Sequence, residues 1–115
     1  MKKIYILVNH SNLTTILSNI LEIIGFLPEI IDENTQAKKN KEEKNTIFTS
    51  YYYAKHKPSY LKQFKTIIIF VPSGISFLDT NLELKDNKVI YFNQALTVNN
   101  IRKLLSDIKL TNNHY

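Results

Sequence analysis

Polar side chains stand where the apolar runs of this sequence stop. The run Ile4–Val8 is followed by Asn9, His10 and Ser11, and a later run rich in β-branched residues stops at Ser50. Of these, the histidine is the side chain that exchanges a proton near neutral pH. The amide and the hydroxyls can hydrogen-bond an anion or the backbone. What they do together depends on the elements that position them.

Further polar residues follow two other apolar runs. Ser73 comes after "TIIIFV", and Asn93 and Gln94 come after "KVIYF". The carboxyl ends of parallel strands meet at one edge of a sheet, and ligands of α/β folds sit beyond that edge. We therefore predict a ligand- or partner-binding rim made of Asn9, His10, Ser11, Ser50, Ser73, Asn93 and Gln94.

The elements follow from hydrophobic spacing. "KIYILV" and "TIIIFV" are nearly continuous apolar runs, as expected of strands buried on both faces. Apolar residues recur at helical spacing from Leu13 to Ile24, with Ser11 or Asn12 available as the cap and Gly25 as the stop. "FLPEII", "TIFTS" and "KVIYF" predict three more strands. A last helix begins after Thr97 and turns Ile101, Leu104, Leu105 and Ile108 to the core.

This alternation predicts an α/β fold with a doubly wound, mostly parallel five-stranded sheet, flavodoxin-like or receiver-like, with helices on both faces. Residues 1–110 form a single domain and 111–115 a frayed tail. The polar segment 32–45 is compatible with a solvent-facing helix or a loop. Residues 74–86 have mixed periodicity and receive no assignment.

Composition excludes several functions. The 115 residues include no cysteine, so disulfides and thiolate metal sites are impossible, and two glycines are too few for a glycine-rich phosphate loop. The net charge of +5 comes almost entirely from lysine, and Arg102 is the only arginine, which argues against nucleic-acid recognition. No apolar run reaches membrane-spanning length and no secretion signal is evident. We expect a cytoplasmic protein without a membrane segment, cofactor or metal.

The run "YYYAKHKPSY" combines aromatic rings with Lys55, His56 and Lys57. Such a run can stack single-stranded nucleic acid. Tyrosines half-buried beside a helix produce the same string, and so does a surface that contacts a protein partner. Half-buried tyrosines are favoured over a nucleic-acid stacking surface.

The segments "YILVNHSN", "LTTILSNILEIIGFLPEII", "TIIIFV" and "YFNQALTVNNIRKLL" together resemble the receiver domain of two-component response regulators across essentially the whole chain. The family's metal-binding acid pair is replaced by Asn9-His10, and its phospho-accepting aspartate by Ser50 or Tyr51. Gln94-Ala95 replaces its Lys-Pro pair. The resemblance implies a pseudo-receiver, not an enzyme, that regulates signal transduction by contacting another protein or a second copy of itself. The dimer face would lie within Leu82–Ile108.

A weaker resemblance leads to a different function. A strand ending in a histidine and followed by a glycine-terminated helix is similar to the mannose-type IIA domains of sugar phosphotransferase systems, and "PSGISFLD" loosely resembles their later segment. This resemblance implies that His10 accepts a phosphoryl group. The family's aspartate that orients the histidine is replaced here by Phe70 or Val71.

Overall fold

The computed structural model describes residues 2–32, 46–71 and 88–108. Within these ranges the chain forms five strands and four helices. In chain order they are β1 (Lys3–Leu7), α1 (Ser11–Ile24), β2 (Leu27–Ile30), β3 (Thr46–Ser50), α2 (Tyr51–His56), α3 (Pro58–Leu61), β4 (Thr66–Phe70), β5 (Lys88–Phe92) and α4 (Val98–Asp107).

The five strands form one sheet in the order β2-β1-β3-β4-β5, and every neighbouring pair is parallel. This confirms the predicted doubly wound α/β architecture with flavodoxin-like topology. β3 is the central strand, and all five of its residues are buried. Because the strands are parallel, all of their carboxyl ends lie at the same edge of the sheet.

Side chains alternate between the two faces of the sheet, and a helix pair covers each face. Ile6, Phe48 and Ile68 pack under α1 and α4. Ile47 and Ile67 pack on the opposite face, under α2 and α3. Helices on both faces were predicted, and the two apolar clusters confirm them. Both faces must be covered because the strands carry apolar residues at successive positions.

Gly25 ends α1 in the left-handed region, with φ 113° and ψ 17°. Its N–H donates to the carbonyl of Leu21 at 3.0 Å, and the N–H of Phe26 donates to the same oxygen at 2.9 Å. A residue with a Cβ is disfavoured at this φ, so the glycine is required here. The tight turn lets β2 begin immediately and pair with β1.

Three local predictions need correction or refinement. The side chain that caps α1 is His10, one residue before the expected Ser11 or Asn12. The sequence predicts a short amphipathic helix from Pro58 through Phe64, but the helix ends at Leu61 and Phe64 packs on the sheet from the following turn. The run "TIFTSYYY" is compatible with a strand or with the start of a helix, and it contains both, since β3 passes directly into α2. Thr97 caps α4 as predicted, accepting the N–H of Asn100 at 3.1 Å.

Several predictions lie outside the described residues. These are the structure of 33–45 and 74–86, the position of Ser73, and the tail 111–115. In the part of the chain that is described, no helix is long and apolar enough to cross a membrane.

Candidate functional site

A cavity of about 560 Å³ opens at the carboxyl ends of β1, β3 and β4. The chain order reverses between β1 and β3, since β2 lies to one side of this pair and β4 and β5 to the other. Such a switch point is where open parallel sheets hold their ligands, because the connections leave the sheet in opposite directions there. The volume is within the range of small-molecule sites.

Apolar side chains at the strand ends and on α1 form part of the wall. They are Val8 beyond β1, Phe70 and Val71 at the end of β4, and Leu13 on the first turn of α1. Val8 and Phe70 are partly buried against the core under α1 and α4. The sheet core therefore continues into the cavity as an apolar surface.

The short helix α2 forms the opposite wall of the cavity. Tyr51, Tyr52, Lys55 and His56 all line the cavity and share one side of the helix. Their position follows from the direct junction of β3 and α2, which leaves no loop between the buried strand and these side chains. The helix thereby brings two phenols, an ammonium and an imidazole to the switch point.

Ring contacts hold this aromatic group in place. The Tyr52 ring lies with its centroid 4.7 Å from that of His56 and 5.2 Å from that of Tyr53. Lys55 Nζ lies 5.7 Å from the centroid of the Tyr51 ring, within cation–π range. Tyr52 nevertheless remains 48% exposed. It therefore presents a positioned ring with a free surface.

His10 is exposed and acts as the cap of α1. Its Nδ1 accepts the N–H of Leu13 at 3.3 Å, and its carbonyl accepts both the N–H and the hydroxyl of Thr14 at 3.0 Å. A neutral imidazole whose Nδ1 accepts a hydrogen bond carries its proton on Nε2. Among the described residues no carboxylate pairs with the ring. The histidine therefore has a clear structural role, and Nε2 is a donor.

Two neighbouring hydroxyls in β3 differ in their hydrogen bonding. Thr49 Oγ1 is buried and donates to the carbonyl of Leu7 at 2.8 Å, across the β1–β3 pair. Ser50 is only 8% exposed and lines the cavity, yet its Oγ finds no hydrogen-bond partner among the described residues. Ser50 occupies the cap position of α2, where a serine hydroxyl ordinarily accepts a backbone N–H, but it makes no such bond.

Among the described residues that line the cavity, the charges are of one sign. Lys55 is the cation, two imidazoles stand nearby, and none of the described residues that line the cavity is acidic. Asp32 follows β2, and its charge acts instead on Tyr60, which lies on α3. Burial is the main cause that raises the pKa of the Tyr60 phenol, and Asp32 and Tyr5 add to it. Tyr60 does not line the cavity.

The predicted rim divides into separate parts. Asn9, His10 and Ser50 meet at the cavity. Asn93 and Gln94 line a different groove of about 200 Å³ between the end of β5 and α4. Ser11 is exposed on α1 and lines neither space.

The predicted rim does not include the α2 side chains that line the cavity. They belong to the aromatic and cationic run "YYYAKHKPSY". Tyr51, Tyr52, Lys55 and His56 have the spacing of one helical face. That spacing was the signal in the sequence that these side chains share one surface. The direct junction of β3 with α2 places that surface at the cavity.

The two hydroxyls of β3 generate a paired prediction. Thr49→Val removes a satisfied buried donor and should lower the free energy of unfolding by about 1 kcal/mol. Ser50→Ala removes an unpaired buried hydroxyl, so stability should be unchanged or higher by up to about 1 kcal/mol. Urea unfolding followed by circular dichroism measures both. If Ser50→Ala lowered the free energy of unfolding as much as Thr49→Val, the Ser50 hydroxyl would not be unpaired as described.

The cap generates a second prediction. His10→Ala should lower the free energy of unfolding by about 1 kcal/mol, because the Leu13 N–H loses its acceptor. His10→Asn should retain the stability, since asparagine is a good cap. Asn9→Ala, at the exposed neighbouring position, is the matched control and should be nearly neutral. Equal stability of the alanine and asparagine variants at position 10 would refute the capping role.

No protein-family model matches this chain, and neither a curated protein nor a solved structure matches it significantly.

Proposed function

We propose that this chain is a non-catalytic, receiver-like regulatory domain that acts through protein contact and without phosphorylation. The supporting architecture is the parallel β2-β1-β3-β4-β5 sheet with helices on both faces. The observation that carries the proposal is the residue at the end of β3. By the resemblance, Ser50 or Tyr51 replaces the aspartate that a working receiver needs there, and neither side chain can form an acyl phosphate.

The residues that follow β1 also support a domain that works without phosphorylation. A hard divalent cation such as Mg²⁺ requires oxygen ligands, and carboxylates supply most of the binding energy. The resemblance puts Asn9 and His10 at the positions of the family's acid pair, and His10 Nδ1 accepts the N–H of Leu13. Among the described residues there is no cluster of three His, Cys, Asp or Glu side chains that could hold a metal ion.

Exposed apolar side chains support a role in protein contact. Ile16 and Ile23 share one face of α1 and are 47% and 66% exposed. Leu27 and Ile30 on the edge strand β2 are 46% and 59% exposed. Large apolar side chains at such exposed positions offer apolar surface that a partner chain can cover. The partner is another protein or a second copy of this chain, and the regulated process is signal transduction in the cytoplasm.

If the domain works without phosphorylation, it should not bind an analogue of the phosphoryl group. When beryllofluoride and Mg²⁺ are added, the backbone amide signals of Asn9, His10 and Ser50 should not shift beyond the change caused by Mg²⁺ alone. The measurement is a ¹⁵N–¹H NMR titration, with an acid-bearing receiver domain as the positive control for the reagent. Saturable shifts confined to these amides would refute a phosphorylation-independent domain.

A histidine phosphocarrier of the sugar phosphotransferase type is the second candidate. The exposed His10 ring and its neighbours Lys55 and His56 favour it, since cations stabilise a phosphoryl group. The hydrogen bond at Nδ1 opposes it. With the proton on Nε2, that nitrogen has no free lone pair, and the lone pair of Nδ1 is directed at Leu13 N–H.

This candidate has a direct test. After incubation with the general phosphotransferase components and a phosphoryl donor, intact-mass spectrometry at alkaline pH should show the wild-type chain unmodified. His10→Asn, which keeps the cap, is the matched control. A phosphoryl group present on wild type and absent from His10→Asn would establish the phosphocarrier and displace the pseudo-receiver.

A further inference from the structure

We infer that the cavity between the ends of β1 and β3 is a binding site for a small anionic molecule with a flat aromatic ring, such as an aryl phosphate. This goes beyond the proposed function and does not depend on it. The cavity could serve a regulatory domain or any other protein built on this sheet.

The anionic part of the ligand follows from the charges. Lys55 and His56 line the cavity, and both are exposed enough to reach an incoming group. The Nε2–H of His10 is a further donor at the same edge. No described acidic residue lines the cavity to neutralise these groups. A phosphate or carboxylate would satisfy several donors at once, and charge-assisted hydrogen bonds are the stronger kind.

The aromatic part follows from Tyr52 and the apolar wall. The Tyr52 ring is held by contacts with Tyr53 and His56, while about half of its surface stays exposed. A ring that is already positioned loses little conformational entropy when another ring stacks on it. Val8, Leu13 and Phe70 supply an apolar surface for the remaining edges of a flat ligand.

Ser50 is the independent indication that something else is accommodated here. A buried hydroxyl without a partner costs free energy and is uncommon in native proteins. Its neighbour Thr49 shows that a hydroxyl in this strand can be satisfied. Ser50 lines the cavity although its Oγ is itself buried, so rotation of the side chain toward the cavity would let a ligand oxygen supply the acceptor that the described residues do not.

The test uses three small probes with the full chain. Phenyl phosphate carries both ring and anion, inorganic phosphate carries the anion alone, and phenol carries the ring alone. In ¹⁵N–¹H NMR titrations, phenyl phosphate should give saturable shifts at residues 8–13, 50–56 and 70–71, with a dissociation constant on the order of millimolar. Each partial probe should bind at least several-fold more weakly.

Three variants locate the site. The double variant Lys55→Ala/His56→Ala and the single variant Ser50→Ala should each weaken phenyl phosphate binding by roughly five- to tenfold, the loss of one or two hydrogen bonds. Lys65→Ala is the matched control, because Lys65 precedes β4 at the opposite edge of the sheet. Circular dichroism and thermal unfolding confirm that each variant is folded.

The outcomes are distinct. Saturable shifts at the cavity that weaken in the Lys55/His56 and Ser50 variants and persist in Lys65→Ala would establish the site. The inference is overturned by shifts elsewhere, by no saturation, or by equal weakening in Lys65→Ala. Equal affinity for inorganic phosphate would also overturn it, because the ring would then contribute nothing.

Discussion

The pairing of β1 with β3 is the contact on which the rest of the structure depends. Leu7 lies opposite Thr49 in the ladder, and Thr49 Oγ1 donates to the Leu7 carbonyl. This bond is buried near the carboxyl ends of the two strands, where an unpaired polar group would be costly. Since the strands are parallel, the residues that follow Leu7 and Ser50 leave the sheet at the same edge. The cavity forms between them.

Residues around the cavity divide into those that stabilise the fold and those that do not. His10 caps α1, and Thr49 satisfies a carbonyl. Ser50 has a buried hydroxyl without a partner, and Tyr52 exposes much of an aromatic ring. Side chains that lower the stability of a fold are found most often at functional sites. There, selection for binding can outweigh the small loss of stability.

The residues at this edge of the sheet determine which ions it attracts. An acid pair and an aspartate at the ends of β1 and β3 would hold a divalent cation. The described lining has instead Asn9, His10 and Ser50 at the strand ends and Lys55 and His56 on α2, and none of these residues is acidic. Such a lining suits the anion that we propose as its ligand.

The sequence by itself determined the architecture, because hydrophobic periodicity and capping are local signals. "TIIIFV" predicts a buried strand and contains β4, and Gly25 predicts the end of α1, where the structure gives it a φ of 113°. The cap residue of α1 was missed by one position, since Ser, Asn and His can all accept a backbone N–H. Only the tertiary structure decided which polar residues meet. Strand order separates Asn93 and Gln94 from His10, and the junction of β3 with α2 adds Tyr52, Lys55 and His56. Strand order is a property of long-range pairing, which no local pattern encodes.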